Sequence, residues 1–366
     1  MPRFSHFYAT LSRQAVSTLA ARHNAAIARS LKTSSMKAAV AHPITTHGPP
    51  PNAPSPAPFF DACSELRSES SLEKEANARP EKPSSGLKKR FWKDVSVRKK
   101  SVEGNYEVLL DTRPIRTPSK DALSIPSTKP YLAHAIALEW DVMTTAQQAL
   151  KNHLIPLTSL TARAADIARE DEEGISSARN QIVKTAMRYL DTDTLLCWVP
   201  EPADCLRETN ENGEKVESLR EAQMRVANDT IAFLGTKVWP GVDIRPILDA
   251  DSILPVSQPQ VTKDIIRQWV MNLHAFDLAA LERGILAAKS LLIAVRLVAE
   301  WSENFRGLQR PGQKRFGIED AAEASSMEVK WQTDMWGEVE DTHDVDKEDL
   351  RRQLGSVIVV VSGETR

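Results

Sequence analysis

Glycine is scarce, at 14 of 366 residues. No strand-like stretch is followed by G-x-G-x-x-G, and no G-x-x-x-x-G-K-[S/T] occurs, so neither backbone cradle for phosphates is available. No G-x-S-x-G elbow presents a nucleophilic serine. The three cysteines, Cys63, Cys197 and Cys205, include no C-x-x-C pair. Their odd number and irregular spacing argue against a disulfide framework and a thiolate metal site, and suit a reducing interior. The eight histidines are scattered, none three or four residues from another, so no helical zinc signature exists. No metal site and no cofactor are expected. A lipid-spanning helix needs roughly 20 residues almost free of charge. The most apolar stretch, Gly284 to Glu300, is interrupted by Lys289 and Arg296, seven residues apart and hence on one helix face. It reads as a water-soluble helix, buried along most of its circumference, and stable membrane insertion is not expected. A net charge of −2 supplies no global field for nucleic acid.

Acid is absent from residues 1–60, whereas six lysines and arginines lie there, so the remainder of the chain carries −8. This head is rich in Ser, Thr and Ala, and Val16, Leu19, Ile27 and Leu31 can share one helix side while Arg13, Arg22 and Arg29 stay wet. An Arg- and Ser-rich, acid-free start is the signature of a mitochondrial or plastid transit peptide, assigned to 1–40; the plainer alternative is a disordered basic tail. Seven prolines between 43 and 58, followed by charged, Ser-rich sequence, mark 41–87 as a linker.

Ordered structure is expected from Arg90. Val95 and Val97, then Tyr106, Val108 and Leu110, alternate with their neighbours and predict strands. Glu103-Gly-Asn105 and Asp111-Thr112 are candidate turns, and Ala122 to Pro126 is a candidate fourth strand. Residues 88–127 thus form a β-rich domain. From 128 to 366 the period becomes 3.6. Ser127 or Thr128 can cap a first helix with Pro130 in its opening turn. Pro156 starts a second, and 176–190 make a third. Leu219 to Phe233 mark a fourth. Val261, Ile265, Trp269 and Leu273 mark the inner stripe of a fifth. Residues 277–303 read as one long central helix. Residues 318–336 form another, which Gly337 is placed to stop. Asp346 can cap a last helix, Lys347 to Leu354, while Val357 to Val361 fits strand or helix equally. Residues 200–217 and 306–315 read as loops. The fold class is α+β, a small β-rich N-terminal domain followed by a larger, mostly α-helical domain.

Of the eight tryptophans, Trp140, Trp269 and Trp301 read as core anchors. Trp331 and Trp336 stand elsewhere: Met327, Trp331 and Met335 form one i, i+4 stripe, and Glu328, Gln332 and Trp336 form the stripe beside it. The run Trp336-Gly-Glu-Val-Glu-Asp-Thr-His-Asp344 then brings Glu338, Glu340 and Asp341. Acids and an aromatic with no paired nucleophile and base suit a surface that holds another protein. The alternative reading packs Met327 and Trp331 onto the body of the domain. A metal at His343 with Asp341, Asp344 and Asp346 is the lesser reading of a solvated cap.

Six pieces, in order, resemble the mitochondrial ATP synthase assembly factors that chaperone the α subunit of the catalytic sector. They are Arg90-Phe-Trp-Lys93, Tyr106 to Asp111 with Arg113-Pro-Ile-Arg-Thr-Pro118, Ala135 to Trp140, Pro156 to Ser159, Tyr189 to Thr194, and Trp336 to Asp341. The resemblance spans about 88–356, and the long linker points to a fungal member. It implies the same two-part fold, no catalysis, and binding of newly imported α subunit in the matrix. It also implies a functionally important glutamate, placed at Glu328 with Glu338 as second choice, in a binding surface of Glu328, Trp331, Trp336, Glu338, Glu340 and Asp341. Thr112 stands where the family is expected to have Gly, and the 306–315 loop is longer than usual. The rival readings are a matrix enzyme with a site assembled from distant residues, and a permanent structural subunit of a larger complex.

Overall fold

The computed structural model describes residues 89–364 except 102–103, 202–215, 249–253, 310–311 and 313. The expected transit helix, the linker, Cys63 and Cys205 lie outside these residues, as do Glu103 and most of the polar loop at 200–217.

Strand β1 (Val95–Lys99) pairs antiparallel with β2 (Tyr106–Leu110), which pairs with β3 (Arg113–Pro114). β2 does not keep the expected alternation: Glu107 through Leu110 are all buried. Glu107 stands among them because Arg98 (2.8 Å) and Lys100 (3.1 Å) pair with its two oxygens and hold its pKa below the usual value. The turn into β3 places Asp111 at φ 54°, and its carboxylate accepts the amides of Lys93 and Asp94 at 3.0 Å each. Thr112 stays out of the left-handed region, so this turn does not need the glycine expected there. Residues 122–126 are not a fourth strand. They meet β2 at an isolated bridge between Tyr106 and Ile125, where Pro126 has no N–H to extend the ladder, and a second isolated bridge joins Ala122 to Arg116 beyond β3.

Nine helices follow among the described residues: α1 (Pro130–Asp141), α2 (Pro156–Glu172), α3 (Ser177–Leu190), α4 (Leu219–Phe233), α5 (Gln260–Met271), α6 (Ala275–Ala288), α7 (Leu291–Trp301), α8 (Ile318–Trp336) and α9 (His343–Val361). Pro130 and Pro156 occupy first-turn positions as expected. Neither Ser127 nor Thr128 caps α1. Lys129 holds that position, and Thr128 donates its hydroxyl to Glu303 instead. The stripe of α5 is displaced by one residue. Thr262, Ile266 and Val270 face inward, and Val261 and Ile265 are exposed. Thr262 is admitted because its hydroxyl donates to the Asp243 carbonyl at 2.7 Å.

The expected long helix is two. α6 ends at Lys289 in the left-handed conformation (φ 54°), and Ser290 caps α7 by accepting the Ile293 amide. Arg296 therefore shares no face with Lys289. It lies 3.3 Å over the Phe233 ring and pairs with Glu300 at 2.7 Å. Residues Val357 to Val361 complete α9, which starts at His343, three residues before Asp346. Leu354, Val357, Val360 and Val361 of α9 are fully buried in one hydrophobic cluster with α6 and α7. The crossing is close at Gly284, where a Cβ would stand 3.1 Å from that of Ala294 and 3.7 Å from Val357.

Several of the recognisable pieces meet as joints. Glu139 accepts the amides of Leu157 and Thr158 (2.7 and 3.0 Å) and caps α2, although burial raises its pKa. Trp140 donates to the Thr158 hydroxyl at 3.0 Å, and Trp92 donates to the Trp140 carbonyl with their rings 5.4 Å apart. Asp193 accepts the amides of Leu195 and Leu292 and closes the break between α6 and α7. The tryptophans differ from expectation: Trp92 and Trp239 are fully buried, whereas Trp140, Trp269 and Trp301 sit half-buried. At that boundary the indole N–H of Trp140 and of Trp301 finds an acceptor.

Candidate functional site

α8 changes character at its middle. Before Ser326 it buries Ala321, Ala322 and Ala324 in the core. At Ser326 the backbone leaves helical geometry (φ −119°, ψ 17°), and the hydroxyls of Ser325 and Ser326 donate to the carbonyls of Ala321 and Ala322. Such back-bonding bends a helix. After the bend only Thr333 is buried, its hydroxyl donating to the Lys330 carbonyl. Gly337, at φ 87°, ends the helix where its sequence predicts. Val339 then donates its amide to His343 Nδ1 at 3.0 Å, which fixes the link into α9.

The expected site residues fall on this projecting end. Trp336 is 78% exposed, Met335 is exposed, and Trp331 and Met327 are half-buried. The Met327–Trp331–Met335 stripe thus begins against the body and runs out into solvent. Glu328 shares the outer stripe with Trp336, and among the described residues its carboxylate meets only the Gln332 amide, at 3.3 Å. Glu338 forms an ion pair with Lys347 of α9. Glu340 and Asp341 are exposed, with Asp341 in the left-handed conformation (φ 58°). Three residues were not anticipated from the sequence: Val329, Val339 and Val345 are exposed among the acids. Valines embedded in an acidic run were the available signal, since neither period nor charge calls for them there.

A groove of about 330 Å³ lies between the end of α6, the bend in α8 and the first half of α9. Leu286, Val329 and Leu350 line it together with Ser325, Ser326 and His343. The two serine hydroxyls donate to helix carbonyls and the His343 Nδ1 lone pair is engaged by Val339, so no serine is paired with the ring. Among the described residues no group of three or more His, Cys, Asp and Glu is placed to hold a metal ion. No helix among them is long and apolar enough to cross a membrane. The chemistry on offer is adhesive: an exposed indole and thioether, flanking valines, and carboxylates that can receive cations.

The family model described as ATP12 chaperone protein matches residues 89–235. The mitochondrial protein atp12 of Schizosaccharomyces pombe is 30% identical over 273 residues, covering 74% of this chain and 81% of the relative. The mitochondrial ATP12 of Saccharomyces cerevisiae is 30% identical over 281 residues, covering 74% and 82%. In fold, the chain resembles the crystal structure of Atp12 from Paracoccus denitrificans, with a TM-score of 0.52 at 23% identity over 75% of this chain and 98% of that one. The chain belongs to the ATP12 chaperone family.

Proposed function

We propose that this chain is an assembly chaperone of the mitochondrial matrix that binds the unassembled α subunit of ATP synthase and covers its subunit-contact surface until the catalytic hexamer forms. The observation that carries the reading is the end of α8: a mostly exposed tryptophan, with exposed valines and acids near it in sequence, projecting beyond the bend at Ser326. An unassembled subunit exposes apolar surface that aggregates. A reversible cover of roughly 1,600 Å² total area suppresses that without nucleotide hydrolysis. Family membership and the mitochondrial relatives support the same reading, as does the basic, acid-free start of the chain. Glu328 is the preferred functional glutamate, because Glu338 is already paired with Lys347 while Glu328, among the described residues, faces only an amide. A cation from the client would pair there, partly desolvated by Trp336.

Co-expression with the α subunit alone tests the function: the subunit becomes soluble and is recovered with the chaperone, which is absent from finished ATP synthase. Permanent residence in the finished enzyme would refute it. Glu328→Lys is expected to weaken capture at least about thirtyfold, the lower end of the roughly 2–5 kcal/mol cost of a broken interface charge pair, with unaltered melting. Unchanged capture by the folded variant refutes the assignment of that glutamate.

A further inference from the structure

Away from the acidic surface, a second set of apolar side chains faces solvent. Tyr131, Leu138 and Val142 are each more than 60% exposed. Spacings of seven and four put them in one line along α1, roughly 16 Å long. The other side of α1 buries Leu132, Ala133 and Ile136, so this helix is apolar on two sides. Phe91, also exposed, joins the line at its end: Arg90 donates its amide to the Thr144 carbonyl (3.3 Å) and its guanidinium to the Asp141 carbonyl (2.8 Å). The short 3-10 turn Ala146–Leu150 follows and leaves Leu150 exposed. This face continues toward the acidic one. Arg352 of α9 donates to the His153 carbonyl at 2.5 Å, beside exposed Leu154, and borders the same hollow as Val345.

Resting on the function proposed above, we infer that the outer face of α1, with Phe91 and Leu150, is the second half of the client surface and takes an apolar part of the same unassembled subunit. Area is the first argument. The exposed side chains around Trp336 present apolar surface on the order of 500 Å². Obligate subunit interfaces bury roughly 2,000 Å² or more in total, about 1,000 Å² on each side. About 65% of such an interface is apolar, or roughly 650 Å² on each side. The acidic end alone falls short of that, and the α1 face adds a comparable area. Charge is the second argument. Lys93, Lys151, Asp94 and Asp141 are all exposed beside the α1 face, which is of mixed charge, whereas the exposed Glu340, Asp341 and Asp344 follow Trp336. Two halves of unlike charge accept a complementary client in one orientation.

The test uses the full chain with Leu138 replaced by photo-reactive benzoylphenylalanine, co-expressed with the α subunit and irradiated, together with the double variant Leu138→Asp, Val142→Asp. The expected results are a cross-link to the α subunit and at least a tenfold loss of capture by a normally melting double variant. A cross-link to a second copy of this chain, or to its own residues 1–88, overturns the inference, as does full capture by the folded double variant. If the double variant does not fold, the cross-link decides. Glu328→Lys and Trp336→Ala are run in parallel. Loss of capture in those two alone sinks the α1 half and leaves the functional reading standing. If the unaltered chain captures no α subunit, the functional reading fails first and this inference falls with it.

Discussion

Two buried ionisable side chains do the work of caps. Asp193 is fully buried, and burial pushes its pKa up to about 6 despite the hydrogen bonds from Ser290, Leu292 and Leu195. The unfolded chain titrates near the ordinary aspartate value of about 3.9, so between about pH 4 and 6 the folded state binds more protons. The stabilisation tied to that proton is fully present below pH 4 and lost as pH rises through 6, a change of roughly 3 kcal/mol. Asp193→Asn should remove this segment of the pH profile, which chemical denaturation of the two proteins at pH 4.5 and 7 will show. Asp193→Ala leaves the Leu195 and Leu292 amides without their acceptor and should destabilise the fold by about 2–4 kcal/mol at neutral pH. Lys129 is the second such group. Its ammonium donates to the Val361 and Ser362 carbonyls (3.0 and 3.1 Å), pairs with Glu303 at 2.9 Å and lies over the Phe276 ring. Lys129→Met keeps the aliphatic stem and removes the charge, leaving Glu303 without its cation. A loss of about 3–5 kcal/mol in denaturant unfolding is expected.

Among the helices, the break between α6 and α7 is the most instructive. Lys289 occupies a left-handed position that glycine adopts without steric cost. Lys289→Gly should therefore leave stability unchanged or raise it by up to about 1 kcal/mol, whereas a β-branched Lys289→Val should lower the melting temperature. Gly284→Val pushes a branched side chain into the α6–α7–α9 crossing, where a single Cβ already meets Ala294 at 3.1 Å, and should cost about 1–3 kcal/mol. These positions also show what the sequence carries and what it hides. The strands, the proline-started helices and the Gly337 stop are legible because each has a local cause. The break at Lys289 is hidden, since continuous apolar residues on both sides mimic one helix; Ser290 before Leu291-Leu-Ile was the available signal. The inner stripe of α5 is hidden for another reason: the threonine that goes inside finds its acceptor, the Asp243 carbonyl, nineteen residues away. Val357 to Val361 fit strand or helix equally by composition and form a helix because α9 packs them against α6 and α7. At the candidate site, Trp336 and its acids are evident locally, while the α1 face is not, because Leu132 and Ile136 account for a single buried stripe and leave Leu138 and Val142 to be assigned by tertiary structure alone.

For the molecule as a whole, the sheet and the helices share one hydrophobic cluster that runs from Trp92 to Val361. Among the described residues, the end of α8 and the first turns of α9 stand away from it. Melting and client capture should therefore separate: changes at Trp336 or Val339 alter binding with little effect on melting, and changes at Leu354 or Val357 do the reverse. Leu354→Ala is expected to cost about 2–5 kcal/mol. The bond between Lys129 and Val361 joins residues 232 positions apart. A polypeptide emerging amino end first therefore carries the Lys129 ammonium without these two carbonyls until the last turn of α9 follows, and until then the body that carries the exposed end of α8 is not closed.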